Sequence, residues 1–386
     1  MPGADGRDDT VVGRVLRALD GVLDPEIRRP VTELDMIGDV RESGERVAVD
    51  VKLTIVGCPA ADRIERDVRT AAESVVGPGR ADVALSVMTP EERRALTEKL
   101  QAGRPKRGIP FDAESLTRVY AVTSGKGGVG KSTLTANLAV ALARRGLAVG
   151  VLDADVHGFS IPGILGLVDD EGRAPRPTRV DEMILPPVAH DVKVVSIGMF
   201  VDDAQAAVAW RGPMLHRTIQ QFLTDVYWGD LDVLLLDLPP GTGDVAISVG
   251  QLLPHADVLV VTTPQPAAAD VAERSGSVAR QTGQRVHGVI ENMAGLAQPD
   301  GTVLQVFGEG GGREVAERLS RGQDEPVPLL ASVPLSIALR EGGDAGEPVV
   351  VAAPDDPAAV AIDRVAAGLA ARPRSLQGRR LGVRVR

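Results

Sequence analysis

Ser124-Gly-Lys-Gly-Gly-Val-Gly-Lys-Ser132 stands directly after the apolar run Val119 to Val122. Apolar run, glycine-rich turn and lysine-serine together predict a strand, a tight loop and a helix start. Gly125, Gly130, Lys131 and Ser132 hold the spacing of a phosphate-binding loop. Glycine is needed where backbone N–H groups wrap closely around phosphates and φ must turn positive. The helix that begins at Lys131 points its positive end at the same anion. Lys131 is expected to neutralise the β and γ phosphates of ATP, and the Ser132 hydroxyl to hold Mg²⁺. The expected nucleotide contacts are Gly125, Lys126, Gly127, Gly128, Val129, Gly130, Lys131, Ser132 and Thr133.

Outward from this loop, short apolar runs alternate with helical stretches. Candidate strands are 118–123, 148–153, 192–198, 232–237, 257–263, 286–291 and 328–333. Their Val, Ile and Leu residues are consecutive rather than alternating, as parallel strands covered on both faces require. The fold class is therefore α/β, a doubly wound, mostly parallel sheet, and ligands of such sheets bind beyond the carboxyl ends of the strands. Two motifs fall at such ends. Val233-Leu-Leu-Leu-Asp237 is a buried strand closed by a carboxylate, and Asp237 is expected to hold an Mg²⁺-bound water. Pro239-Pro-Gly-Thr-Gly-Asp244 follows as a loop suited to sense the γ phosphate.

The amino-terminal part reads differently. Val11, Val15, Leu16, Leu19 and Val22 recur at helical spacing, Val47 to Ile55 alternates as a strand, and Ala60 to Val76 is a charged amphipathic helix. Asp82 to Met88 is a second strand, and Pro90 to Gln101 a second charged helix. The expected organisation is a small α+β domain over 1–103, a linker over 104–116 rich in proline and basic residues, the nucleotide-binding domain over 117–371, and a basic tail over 372–386.

Composition limits the function classes. A chain of 386 residues is long for one core, so two domains are expected. A balance of 43 basic and 53 acidic residues argues against a generally nucleic-acid-binding surface. Met1 to Asp9 is polar and acidic, without the apolar core of a secretory signal, and no apolar run reaches the ~18 residues of a membrane span. The single cysteine, Cys58, excludes an internal disulfide framework and fits a reducing cytoplasm. The tail carries six arginines and no acid, with Gly378 and Gly382 interrupting any amphipathic helix, so stable membrane association is not expected.

Lys126, just after the first loop glycine, resembles the extra lysine of the deviant Walker A loop in the MinD/ParA/nitrogenase-iron-protein class. Longer segments narrow the resemblance: Arg211-Gly-Pro-Met214, Gln220-Gln-Phe-Leu, Asp225-Val-Tyr-Trp-Gly-Asp230, Glu291-Asn-Met293 and Phe307-Gly-Glu-Gly-Gly-Gly312 are similar to the Mrp/ApbC family of iron-sulfur cluster carrier ATPases. Asp24-Pro-Glu-Ile27, Pro30 to Gly38 and Thr54 to Pro59 resemble a SufT-like domain. The resemblance implies an ATP-sandwiched homodimer in which Lys126 reaches the partner's nucleotide, as an arginine finger would. It further implies that Asp155 orients the attacking water, Asp153 belongs to the Mg²⁺ neighbourhood and the Asn292 amide contacts adenine. Apo iron-sulfur proteins and the assembly machinery are the implied partners.

The sequence departs from that family at one place. A Cys-x-x-Cys pair normally lies between the Glu-Asn-Met and Phe-Gly segments, whereas Ala294 to Val306 contains neither cysteine nor histidine. A four-thiolate cluster site cannot form there. Cys58, in Gly57-Cys58-Pro59, becomes the candidate iron-sulfur ligand, two thiolates being available across a dimer. Two functions therefore stand: an ATP-hydrolysing iron-sulfur cluster carrier, and a metal-free, MinD/ParA-like nucleotide switch that positions a partner.

Overall fold

In the computed structural model, residues 10–55, 60–102, 108–112, 114–156, 158–201, 212–298, 300, 302–321 and 323–371 are described. Cys58, Arg211 and the tail 372–386 lie outside them, as do parts of the linker. Two compact units are present.

The first unit begins with α1 (Val11–Leu19), whose N-cap Thr10 accepts a hydrogen bond from the Gly13 N–H at 3.1 Å and whose buried face carries Val15 and Leu19. Strands β1 (Ile37–Ser43) and β2 (Arg46–Leu53) pair antiparallel, and β3 (Ala81–Val87) joins β2 in parallel. In β2, Val47, Val49, Val51 and Leu53 face the core while Arg46, Ala48, Asp50 and Lys52 face away, the period of two that half-buried strands show. Helix α2 (Ala61–Val76) covers the sheet with Ile64, Val68 and Ala72. Helix α3 (Pro90–Gln101) starts in a capping box, with Thr89 and Glu92 bonding each other's backbone.

This unit is discontinuous. Its core includes Val180, Met183 and Leu185 from the hairpin β6 (Thr178–Val180) and β7 (Met183–Leu185), together with Tyr227. The Thr178 hydroxyl donates to the buried Glu26 carboxylate at 3.0 Å, and the Tyr227 N–H to the Ile184 carbonyl at 2.8 Å. No local signal in the sequence announces the hairpin's place.

The second unit is built on an eight-stranded sheet. Its strands are β4 (Arg118–Ser124), β5 (Val149–Asp153), β8 (Val188–Ala189), β9 (Val192–Ser196), β10 (Val233–Asp237), β11 (Asp257–Thr262), β12 (Arg285–Asn292) and β15 (Leu329–Val333), in the spatial order β15-β12-β11-β4-β10-β5-β9-β8. Only β8 runs antiparallel to its neighbour. The expected strands are all present, within two residues at each end. Helices α4 (Lys131–Ala143), α5 (Ile161–Ile164), α6 (Gly212–Thr224), α7 (Asp244–Leu252), α8 (Pro266–Gln281), α9 (Gly311–Ser320), α10 (Ile337–Ala345), α11 (Val349–Ala352) and α12 (Pro357–Ala370) flank it, and β13 (Leu296–Ala297) pairs with β14 (Val303–Leu304) as a short hairpin.

All five residues of β10 are buried, which explains the unbroken Val-Leu-Leu-Leu run. Truncating one of these leucines, Leu235 for example, would cost about 2–5 kcal/mol in lost transfer energy and cavity. Helix α4 is buried from Leu134 to Ala143 and packs on α12. The phosphate-loop helix thus packs between the sheet and α12, and the loop runs from the end of β4 to the start of α4.

Candidate nucleotide and metal site

The loop between β4 and α4 takes its path from two glycines. Gly130, the N-cap of α4, has φ 78° and ψ 24°, a left-handed conformation that most residues avoid. A Cβ there would also stand 2.3 Å from the Asn292 amide nitrogen. Gly125 has ordinary backbone angles but no room, since a Cβ would meet the Ala272 nitrogen at 2.4 Å on the flank of α8.

At the centre lies Lys131, with its side chain only 6% exposed. Its Nζ donates to Asp237 Oδ2 at 2.8 Å and to Ser132 Oγ at 3.2 Å, and stands 3.7 Å from Asp155 Oδ2. The Ser132 hydroxyl donates to Asp237 Oδ2 at 2.5 Å, and the Thr135 hydroxyl to Asp237 Oδ1 at 2.8 Å. Asp153, completely buried, accepts from the Ser196 hydroxyl at 2.9 Å and from the Asp155 N–H at 3.2 Å. Strand register explains the grouping, because β10 and β5 place Asp237 beside Asp153, and β5 and β9 place Asp153 beside Ser196.

One ammonium therefore faces three aspartates. Burial holds the Asp153 carboxyl well above the usual carboxylate range, and the neighbouring Asp237 charge adds to this; Ser196, the Asp155 N–H and Lys131 act in the opposite direction. Burial also pushes Asp237 up, against the pull of Lys131 and the hydroxyls of Ser132 and Thr135. A site short of positive charge and lined by carboxylate and hydroxyl oxygens suits a hard divalent cation. Among the described residues no group of three or more His, Cys, Asp or Glu side chains is arranged as a self-sufficient metal site. Mg²⁺ takes few protein ligands and keeps water and phosphate oxygens; Ser132 and Asp237 are the residues that would hold it.

The remaining predicted residues are placed as follows. Lys126 donates from Nζ to Gln265 Oε1 at 2.6 Å within its own chain. Asn292 donates from its amide to the Val129 carbonyl at 2.9 Å, which ties the end of β12 to the phosphate loop. Gly130, Thr133, Asn292 and Met293 line a cavity of about 940 Å³ that continues along Phe159 and Leu335. The 239–244 loop rests on the sheet, with the Gly241 N–H donating to the Ser124 carbonyl at 2.8 Å, and α7 begins at Asp244.

Thr135, Ser196 and Gln265 were not singled out from the sequence. Thr135 had a signal, since it lies one helical turn after Lys131 and shares its face. Ser196 and Gln265 had none, because only strand order brings them to the loop. Among the described residues no helix is long and apolar enough to cross a membrane.

Residues 115–370 match the family described as NUBPL iron-transfer P-loop NTPase, and residues 13–85 match the family described as iron-sulfur cluster assembly protein. A Mycobacterium tuberculosis protein named iron-sulfur cluster carrier protein is 55% identical over 379 residues, covering 98% of both chains. A Synechocystis protein of the same name is 39% identical over 358 residues, covering 92% of this chain and 96% of its own. A nucleotide-binding protein from Archaeoglobus fulgidus, solved in complex with ADP, is 38% identical with a TM-score of 0.49, covering 59% of this chain and 86% of that one. With a phosphate loop, a Lys131–Asp237 pair at its centre and a family match over most of its length, this chain belongs to the NUBPL iron-transfer P-loop NTPases and is a nucleotide hydrolase of that type.

Proposed function

We propose that this chain is an Mg²⁺-dependent ATPase that carries iron-sulfur clusters to apo-proteins, acting as a homodimer in the cytoplasm. The observation that carries the hydrolase part is the buried Lys131–Asp237–Ser132 contact set beside Asp153 and Asp155. The carrier part is supported by the relatives of that name, which this chain matches nearly end to end, and by the separate match of residues 13–85.

The chain's own residues divide the work. Backbone N–H groups from Gly125 to Thr133 and the α4 N-terminus receive the phosphates. Lys131 leaves Asp237 for the β and γ phosphates, exchanging one buried charge partner for another and so avoiding a bare ammonium. Ser132 and Asp237 would hold Mg²⁺, which would supply positive charge to screen the phosphates. Asp155 orients the attacking water, and Asp153, held by Ser196, keeps Asp155 in place through its N–H. Asn292 and the cavity beyond Gly130 take the base. Lys126 of one copy stabilises transition-state charge at the other copy's nucleotide.

The cluster is cargo, and the candidate ligand is Cys58 from each copy, with outside ligands completing the set. The lack of cysteine and histidine between Ala294 and Val306 favours one rival reading, a metal-free nucleotide switch. Anaerobic reconstitution with iron and sulfide, followed by absorption spectroscopy and transfer to an apo-protein, separates the two. The carrier reading expects cluster bands and client maturation that fall in Cys58→Ser while ATP hydrolysis persists. Neither protein retaining iron would select the switch.

A further inference from the structure

Lys126 is held in an unusual way. Gln265 is the N-cap of the 16-residue helix α8, yet its side chain makes no capping bond. Its amide oxygen instead accepts from Lys126 Nζ at 2.6 Å. An ammonium near a helix N-terminus meets the positive end of the macrodipole, a place where anions and not cations are favoured. Gly125 lies directly against Val271 and Ala272 of the same helix, where a Cβ would meet the Ala272 nitrogen at 2.4 Å, so the loop already sits as close to α8 as the backbone allows. The Lys126 carbonyl is also fixed, accepting from the Ser124 hydroxyl at 3.0 Å. The ammonium is therefore retained by a neutral amide against an unfavourable field, with its backbone already set.

We propose that Gln265 is a positioning residue that parks Lys126 inside its own chain and releases it when a nucleotide phosphate is presented across the dimer. This rests on the reading of Lys126 as acting at the partner's nucleotide. A phosphate is a fully charged acceptor and wins over an amide oxygen, while the helix end adds to the push. A carboxylate at position 265 would form an ion pair and hold the lysine back. A small residue would let it go early.

The test compares Gln265→Glu and Gln265→Ala with the wild type, reading the protein concentration that gives half-maximal ATP hydrolysis and the ATP-driven dimerisation constant from sedimentation. Gln265→Glu should raise both by about two- to fivefold, the range a partly exposed ion pair supports. Gln265→Ala should lower both, with melting temperature and single-chain ATP affinity unchanged. In a Lys126→Ala background the Glu substitution should add nothing to the dimerisation constant. A variant whose melting temperature moves is replaced by Gln265→Asn, whose shorter amide should behave as Ala does. Shifts of the same sign in Glu and Ala, or no shift in either, overturn the proposal. Mixing Lys126→Ala with Lys131→Ala protein isolates the underlying reading: recovered activity beside unmoved Gln265 variants rejects parking alone, whereas no recovery in demonstrated mixed dimers rejects the action across the dimer as well.

Discussion

Asp153 and Asp237 lie in register on neighbouring parallel strands, both fully buried, with a single ammonium, Lys131, bonded to the second of them. Burial, with the neighbouring Asp237 charge adding to it, holds the Asp153 carboxyl well above its ordinary range.

The pH dependence of stability follows. Asp153 binds its proton more tightly folded than unfolded, so the stability it contributes is fully present below the unfolded value of about 4 and is lost as pH rises through the raised folded value. Asp153→Asn removes the charge and should melt about 2–4 °C higher than wild type at pH 7.5 for each kcal/mol recovered. Thermal melts of the nucleotide-free proteins from pH 4.5 to 8 check this on the scale of carboxylate titration. Equal slopes in both proteins would count against the raised value.

Lys131→Ala should remove ATP hydrolysis, because ground-state binding and transition-state charge both depend on its ammonium. The loss expected is at least about 100-fold in kcat, the scale for one electrostatic donor at a reacting centre. Steady-state phosphate release measures it, and wild-type turnover in the variant would remove the phosphate-loop assignment.

Asp155→Ala separates chemistry from binding. The Asp155 carboxylate stands 3.7 Å from Lys131, farther than the 2.8 Å Lys131–Asp237 contact, so ATP affinity should stay within about threefold while turnover falls by about 100-fold or more. A fluorescent-nucleotide titration beside single-turnover kinetics reads the two effects apart. Parallel losses in both would assign Asp155 to binding.

Gly125→Ala tests the seat of the loop. Its Cβ would lie 2.4 Å from the Ala272 nitrogen and 2.5 Å from the Val271 carbonyl carbon, so the backbone of α8 has to shift. Overpacking of this kind costs about 1–3 kcal/mol, readable as a lower denaturant midpoint with an unchanged slope. The same variant should also bind ATP more weakly, since the loop moves with the helix.

What is local could be read from the chain alone. The glycine spacing from Gly125 to Gly130, the unbroken apolar runs of the parallel strands and the helical period of α1 and α2 each follow from a few consecutive residues and their allowed backbone angles. So did the likeness to iron-sulfur carriers, carried by long uninterrupted motifs. Which residues become neighbours depends on how the strands are ordered in the folded sheet. Ser196 reaches Asp153, Gln265 reaches Lys126 and Asn292 reaches Val129 because the crossovers order the strands β12-β11-β4-β10-β5-β9, an order not written in any single segment. The hairpin of Thr178 to Leu185 joins the first unit for a similar reason. Its Val180, Met183 and Leu185 read as ordinary apolar residues, and only the core they complete with Val49 and Ile64 says which surface they bury.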